Sequence, residues 1–195
     1  EELEQFAYAA SHDLQEPLRM VASFTELLDK EYGNTFDDTA SRYVEFALGG
    51  ARRMQVLVQG LLDYSRVGNQ KAKLESVDLN TLVDAVFTDL SSAITERGAT
   101  VGRGELLTVS ADTQLLGRVI QNLVANALKF VPENRSPSVH VAATETEEAW
   151  VISVRDNGIG IAPRYHDRVF QMFQRLHYQE EFSGSGIGLT LAHKI

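Results

Sequence analysis

Ala10-Ser11-His12-Asp13-Leu14-Gln15-Glu16-Pro17-Leu18-Arg19 is the stretch whose reading decides the fold. Placed on a helix, it lies in a seam of apolar residues at heptad spacing. One frame is Ala7, Leu14, Val21 and Leu28; the other is Leu3, Ala10, Pro17 and Phe24. Such a seam marks a helix packed in a bundle or coiled coil. With Ala7 and Leu14 at a and Ala10 at d, His12 takes position f, furthest from the seam. An imidazole on a rigid helix, facing solvent beside the carboxylate of Asp13, has the makings of a nucleophile. Pro17 has no N–H and clashes with the carbonyl of Asp13, so a bend is expected just after the histidine. A lone surface histidine is an ordinary thing, and only the rest of the chain gives this one weight.

The chain has 195 residues, 44% of them hydrophobic, enough for one large or two small domains with a buried core. A net charge of −9 argues against a nucleic-acid-binding surface and against association with anionic lipid. There is no cysteine, which excludes a disulfide framework, a zinc–thiolate site and a redox dithiol, and fits a cytoplasmic location. No run of about eighteen apolar residues occurs, so no membrane contact by this segment is expected. The acidic start, already in heptad register at Leu3, does not read as a signal peptide. Leu189 to Ile195 reads as a helix still running, so the chain is expected to be the middle of a larger protein.

The first helix is predicted over 1–30, with a break at Tyr32-Gly33-Asn34-Thr35. Asp37 or Thr35 caps a second helix that runs to about Arg66. Its seam is Ala40, Ala47, Met54 and Leu61 with Val44, Ala51 and Val58. Two such helices with a short loop make an antiparallel hairpin whose apolar stripes have no third element to cover them. Pairing two hairpins into a four-helix bundle is the simplest cover, and it predicts a homodimer. Packing the hairpin on the following domain is the competing arrangement, and it leaves His12 harder to reach. Val67 to Lys73 is polar, contains Gly68 and reads as a linker.

Beyond the linker the pattern changes. Short strands are predicted over 74–77, 99–101 and 107–109. Asp78 caps a helix through about Arg97, and Asp112 caps another to about Phe130. Strands 138–144 and 150–154 form a hairpin around the polar Glu145–Glu148 turn. The composition of elements predicts an α/β sandwich, one sheet with helices on a single face.

On the helix from Asp112, Arg118, Asn122, Asn126 and Lys129 share one polar face opposite Leu116, Val119, Ile120, Leu123 and Ala127. Carboxamides are uncommon inside helices unless they have partners. Two of them stacked beside a lysine suit a divalent ion and phosphates, since magnesium prefers oxygen ligands and lysine adds a point charge. Asp156-Asn157-Gly158-Ile159-Gly160-Ile161 follows a strand. Its glycines allow close approach of backbone to a flat ligand, and the carboxylate can accept a hydrogen bond from an exocyclic amine such as that of adenine. Gly184-Ser185-Gly186-Ile187-Gly188-Leu189 opens a helix and offers free amide donors to an anion. It lacks the features of a Walker loop and of a dinucleotide fold. Phe170 and Phe173 flank a polar run, the pattern of a lid. His140, His166, His177 and His193 have no metal-ligand partner at useful spacing.

With these motifs in this order, the chain resembles a sensor histidine kinase. The stretch around His12 resembles the H box, and Asn122-Leu-Val-Ala-Asn126-Ala-Leu-Lys129-Phe130 the N box. Asp156-Asn-Gly-Ile-Gly160 resembles the G1 box, Phe170-Gln-Met-Phe173 the F box, and Gly184-Ser-Gly-Ile-Gly188-Leu the G2 box. The wording around His12 is most similar to kinase modules of bacterial phytochromes and related PAS sensors.

The resemblance implies an α+β architecture. Residues 1–67 would be a dimerisation and histidine-phosphotransfer hairpin. Residues 68–195 would be an α/β sandwich ATP-binding domain of the Bergerat (GHKL-like) kind, lacking its last strands. It implies an ATP- and Mg2+-dependent kinase in which His12 receives the γ-phosphoryl group and Asp13 acts as base or orients the imidazole. Asn126 would coordinate magnesium with Asn122 beside it, Lys129 would contact phosphate, and Asp156 the adenine amine. Gly158 and Gly160 would line the base, and Gly184, Ser185, Gly186, Ile187, Gly188 and Leu189 the phosphates. The phosphoryl group would then pass to an aspartate of a response-regulator receiver domain. An upstream PAS or phytochrome-like sensor would precede the hairpin.

One departure from the family bears on phosphatase chemistry, and one match separates the chain from related ATPases. Many members have Thr or Asn four residues after the histidine for phosphatase chemistry, where this chain has Glu16. Related ATPases of the gyrase, chaperone and mismatch-repair type carry a catalytic glutamate at the position of Asn122, so asparagine disfavours hydrolysis by water. A non-catalytic phosphoacceptor scaffold is the runner-up reading, and the intact Asn126, Lys129, Asp156 and glycines argue against it.

Overall fold

The computed structural model describes the backbone of residues 2–69, 72–147, 149–172, 174 and 186–195, and their side chains except at 2–10, 12, 66, 68 and 69. The chain divides into two compact units. One is built on Glu1–Gln70 with Ser183–Ile187, the other on Lys71–Phe182 and Gly188–Ile195.

The first unit is a helical hairpin of α1 (Glu2–Tyr32) and α2 (Asp38–Asn69), joined through a 3-10 turn at Gly33–Thr35. Asp37 supplies the cap, its Oδ1 accepting the N–H of Ala40 at 2.7 Å, while the hydroxyl of Thr35 donates to the carbonyl of Tyr32. The helix α1 passes through Pro17 as a single element. Its partner α2 runs on through Val67, Gly68 and Asn69, into the segment that composition marks as linker. Nothing there removes a backbone donor, so polar composition alone does not stop the helix.

The two faces of the hairpin differ in residue size. Among the described residues the buried positions are Ser11, Ala22, Ala51, Leu62 and Ser65, four of them small, which allows close helix approach. The heptad residues Leu14, Val21, Phe24, Leu28 and Met54 stay exposed, with Phe24 at 69%. Pro17, Met20, Val21, Phe24, Thr25 and Leu28 line one open apolar groove along α1. So the described part of the α1 seam faces outward in a single chain, whereas the α2 seam is divided, with Met54 exposed and Ala51 buried. Across the hairpin, Arg52 pairs with Glu26 at 2.7 Å, and Gln15 donates to Gln59, which in turn donates to Asp63.

The second unit contains β1 (Glu75–Asp78), α3 (Leu79–Asp89), α4 (Ser91–Glu96), β2 (Thr100–Arg103), β3 (Thr108–Ala111), α5 (Thr113–Lys129), β4 (Ser138–Glu145), β5 (Trp150–Asp156) and α6 (Gly188–Lys194). Asp78 and Asp112 cap α3 and α5 as expected. The helix expected to reach Arg97 divides at Leu90 (ψ +9), where a serine pair restarts it as α4.

Where composition suggests one sheet, the strands pair in two sets. β1 lies antiparallel to β3, with Val77 opposite Val109. β4 is central to the other set, parallel to β2 and antiparallel to β5. The core is formed by Leu79, Val83 and Val86 of α3, Ile120, Val124, Ala127 and Leu128 of α5, Val139 and Val141 of β4, and Leu106. At about 25 cal/mol per Å² of apolar area buried, these side chains dominate the unit's stability. Arg103 locks β2 to α3, making two 2.7 Å bonds to the carboxylate of Asp84 and one to the carboxamide of Asn80. Asn80 also accepts the N–H of Leu106, so a half-buried polar network joins α3 to the loop after β2.

Candidate functional site

The helix α5 buries Ile120, Val124, Ala127 and Leu128 and leaves Asn122, Asn126 and Lys129 half-buried on another face, with Arg118 exposed. The Nζ of Lys129 lies 4.4 Å from the ring centroid of Phe130. Asp112 starts the helix, one carboxylate oxygen accepting the N–H groups of Gln114 and Leu115.

The C-terminal end of α5 is sewn to the glycine turn after β5. Phe130 donates its N–H to the carbonyl of Asn126 at 2.9 Å, and its own carbonyl accepts the N–H of Ile159 at 2.9 Å. Asp156 closes the turn on itself, its Oδ1 accepting the N–H of Gly158 at 2.7 Å. Among the described residues no hydrogen bond reaches its other oxygen, Oδ2. A side chain at Gly158 would collide with the carbonyl of Phe130 and come within 2.8 Å of that Oδ1, so only glycine fits this approach. Gly160 stands at φ +68 with open space about it.

Asn157 fixes the other side of the turn. Its carboxamide accepts from the N–H of Ser138 at 2.9 Å and donates to the carbonyl of Ser136, and its carbonyl accepts from Arg135 at 2.7 Å. Gly188, the first residue of α6, lies against Asn122: an added Cβ would sit 3.2 Å from its Oδ1. Phe170 stacks on His193 of α6, with ring centroids 4.9 Å apart. Gly186 has φ +71, Ile187 is buried and Leu189 half-buried. Gly184, Ser185, Phe173 and His177 lie outside the described residues, as does most of the lid expected after Phe170.

In the hairpin, His12 lies within α1 and its side chain is outside the described residues, so its expected outward direction is not among the observations. Asp13 is exposed. Glu16 is engaged by Arg19 at 2.8 Å, and that hydrogen bond, with the charge behind it, holds the Glu16 carboxyl below the usual glutamate range.

The second unit thus brings together Asn122 with Gly188, and Asn126, Phe130, Asp156 and Gly158 in one bonded series. This fits a nucleotide. A carboxylate oxygen with no hydrogen bond among the described residues stands beside the glycine turn, and two carboxamide oxygens offer the hard, neutral donors that suit magnesium already carrying phosphates and water. The sequence reading missed Arg97, Arg135 and the bonding of Asn157. Arg97-Gly98 reads locally as a helix end, and nothing in it names a partner across the fold.

A model for histidine kinase-, DNA gyrase B- and HSP90-like ATPases matches residues 111–195, and one for the His Kinase A (phospho-acceptor) domain matches residues 2–70. The phytochrome-like protein Cph1 of Synechocystis sp. is 41% identical over 194 residues, covering 100% of this chain and 26% of that protein. Cyanobacterial phytochrome A of Nostoc sp. is 42% identical over 194 residues, covering 100% of this chain and 25% of its own length. The chain therefore spans about a quarter of the length of these relatives. Among solved structures, full-length ShkA in complex with AMPPNP matches with a TM-score of 0.71 at 25% identity, over 97% of this chain and 40% of that one.

Proposed function

This chain belongs to the sensor histidine kinases, and from that premise we propose that it is a kinase core that autophosphorylates on His12 and then phosphorylates an aspartate of a response-regulator receiver domain. Residues 1–67 carry the acceptor histidine and the dimer contact, and residues 68–195 bind ATP. The observation that carries the reading is the bonded series from Asn126 through Phe130 to Ile159, because it makes the carboxamide face of α5 and the Asp156 turn a single wall.

On this wall Asp156 accepts the exocyclic amine of adenine through its uncommitted oxygen. Gly158 keeps the surface flat, and Lys129 supplies positive charge to the phosphates. Asn126, with Asn122, would hold Mg2+, which when bound neutralises phosphate charge. The glycines from Gly184 to Gly188, with Ser185, Ile187 and Leu189, line the phosphates. A neutral imidazole nitrogen of His12 forms the new bond to the γ-phosphorus as the bond to the ADP oxygen breaks. Asp13 orients the ring or takes its proton. Such transfer depends mainly on alignment and charge neutralisation.

The apolar groove from Pro17 to Leu28 is the surface by which two hairpins join into a four-helix bundle. A PAS or phytochrome-like sensor precedes the hairpin. No helix among the described residues is long and apolar enough to cross a membrane, and a cytoplasmic setting is part of the proposal. Incubation with γ-labelled ATP and Mg2+ should give an acid-labile, base-stable phosphoprotein. Label that persists undiminished in His12→Gln rejects the acceptor, and label that persists in Asn126→Ala removes that residue from the metal role.

A further inference from the structure

Three successive carbonyls at the end of α5 are held by two different partners. The middle one, of Phe130, accepts the N–H of Ile159 from the glycine turn. The outer two, of Lys129 and Val131, both accept from the same Nη2 of Arg97, at 3.2 and 3.4 Å. Arg97 stands at the C-terminal end of α4, 59 residues before Asp156 (156 − 97) and outside every motif named above. The last carbonyls of a helix have no partner within it, and a cation there both donates to them and complements the helix dipole.

The geometry carries a consequence for the base pocket. Gly158 is pressed against the carbonyl of Phe130, and its N–H holds Oδ1 of Asp156. The direction of Oδ2 therefore follows the position of Gly158, which follows Phe130, which is bracketed by the guanidinium. We propose that Arg97 is a positioning residue for nucleobase selectivity: by fixing 129–131 it aims Asp156 at an exocyclic amine, so that a 6-amino purine is preferred to a 6-keto purine. This rests on the reading that Asp156 receives the adenine amine.

The test is binding of ATP and of inosine triphosphate, each with Mg2+, to the whole chain and to Arg97→Gln and Arg97→Lys. Inosine presents a keto oxygen where adenine has its amine, so a well-aimed carboxylate rejects it, by at least about tenfold in the parent chain. Arg97→Gln should weaken ATP several-fold and inosine triphosphate little, reducing the ratio to about two or three. Arg97→Lys keeps the charge without the fork and should give an intermediate ratio; it also serves if the glutamine variant does not fold. Equal loss for both nucleotides is the mark of general loosening and overturns the inference. So does an unchanged ratio in the folded variants, in which case the adenine reading stands. A parent chain that does not distinguish the two nucleotides overturns the adenine reading itself, and the inference with it.

Discussion

Asp112 bonds the backbone N–H of Lys73 at 2.9 Å through one carboxylate oxygen while the other caps α5. One side chain thus ties the segment entering β1 to the first turn of the helix that carries Asn122 and Asn126. The bond from Lys73, followed by that from Leu115, holds its carboxyl below the usual aspartate range.

Asp112→Ala removes both attachments. It should lower the melting temperature by a few degrees and weaken ATP binding only modestly, because the carboxamides lie further along α5. Asp112→Ser keeps a capping oxygen and should recover most of the stability. Calorimetric melting of the two variants distinguishes a cap from a general packing effect.

Asp78, Asp84 and Asp112 all have carboxyls held low. The causes are, in turn, the hydroxyl of Thr81 with Asn80, the guanidinium of Arg103, and backbone N–H groups. A group whose folded value lies below its unfolded one adds stability above the unfolded value and loses it as pH falls through the folded one. The melting temperature should therefore decline on acidification below the ordinary aspartate range. Asp84→Asn should be less stable than the parent at neutral pH and approach it as the pH falls. A gap that stays constant with pH would remove the ion pair to Arg103 from the account.

Gly158→Ala places a methyl group against the carbonyl of Phe130 and near Oδ1 of Asp156. The turn must open, and ATP affinity should drop by roughly tenfold or more with little change in the hydrophobic core, which lies elsewhere. Isothermal titration, with a melt on the same sample, reads both quantities.

A Cβ added at Gly188 would meet Asn122 Oδ1 at 3.2 Å, closer than most Cβ contacts allow. Gly188→Ala alone should push the Asn122 carboxamide out of place and reduce ATP binding. In an Asn122→Ala background the same change has nothing to displace. A double-mutant cycle should show coupling of about 0.5–1 kcal/mol, and strict additivity would separate the two residues.

Much of this was legible beforehand, and what was not has physical reasons. The caps at Asp78 and Asp112 could be read because capping is a local matter of a side chain and the next two or three N–H groups. The pairing of β2 with β4, or of β1 with β3, is not local, and the four-residue strands β1, β2 and β3 carry no register signal. The break at Leu90 was hidden because apolar spacing continues across it. The α2 helix outran a segment whose polarity implies a linker, since solvated polar residues are compatible with a helix end. In the site, Asp156, Gly158 and Asn126 stood out by type and spacing. Arg97 did not, because an arginine before a glycine looks the same whether it caps its own helix or another.

Val21→Glu and Phe24→Glu place charge on the exposed stripe of α1. Either should convert a dimer to a monomer in analytical ultracentrifugation while leaving the helical content of the hairpin unchanged. Retention of the dimer would move the contact elsewhere.

The unequal faces of the hairpin separate two tasks. Ser11, Ala22, Ala51 and Ser65 set the spacing of α1 and α2, whereas Leu14, Val21, Phe24, Leu28 and Met54 are turned to the outside. With the outer stripe as the proposed dimer contact, substitutions there should change pairing between hairpins without disturbing the helix pair beneath. On that proposal, partner choice and hairpin stability are set by different side chains and can change independently.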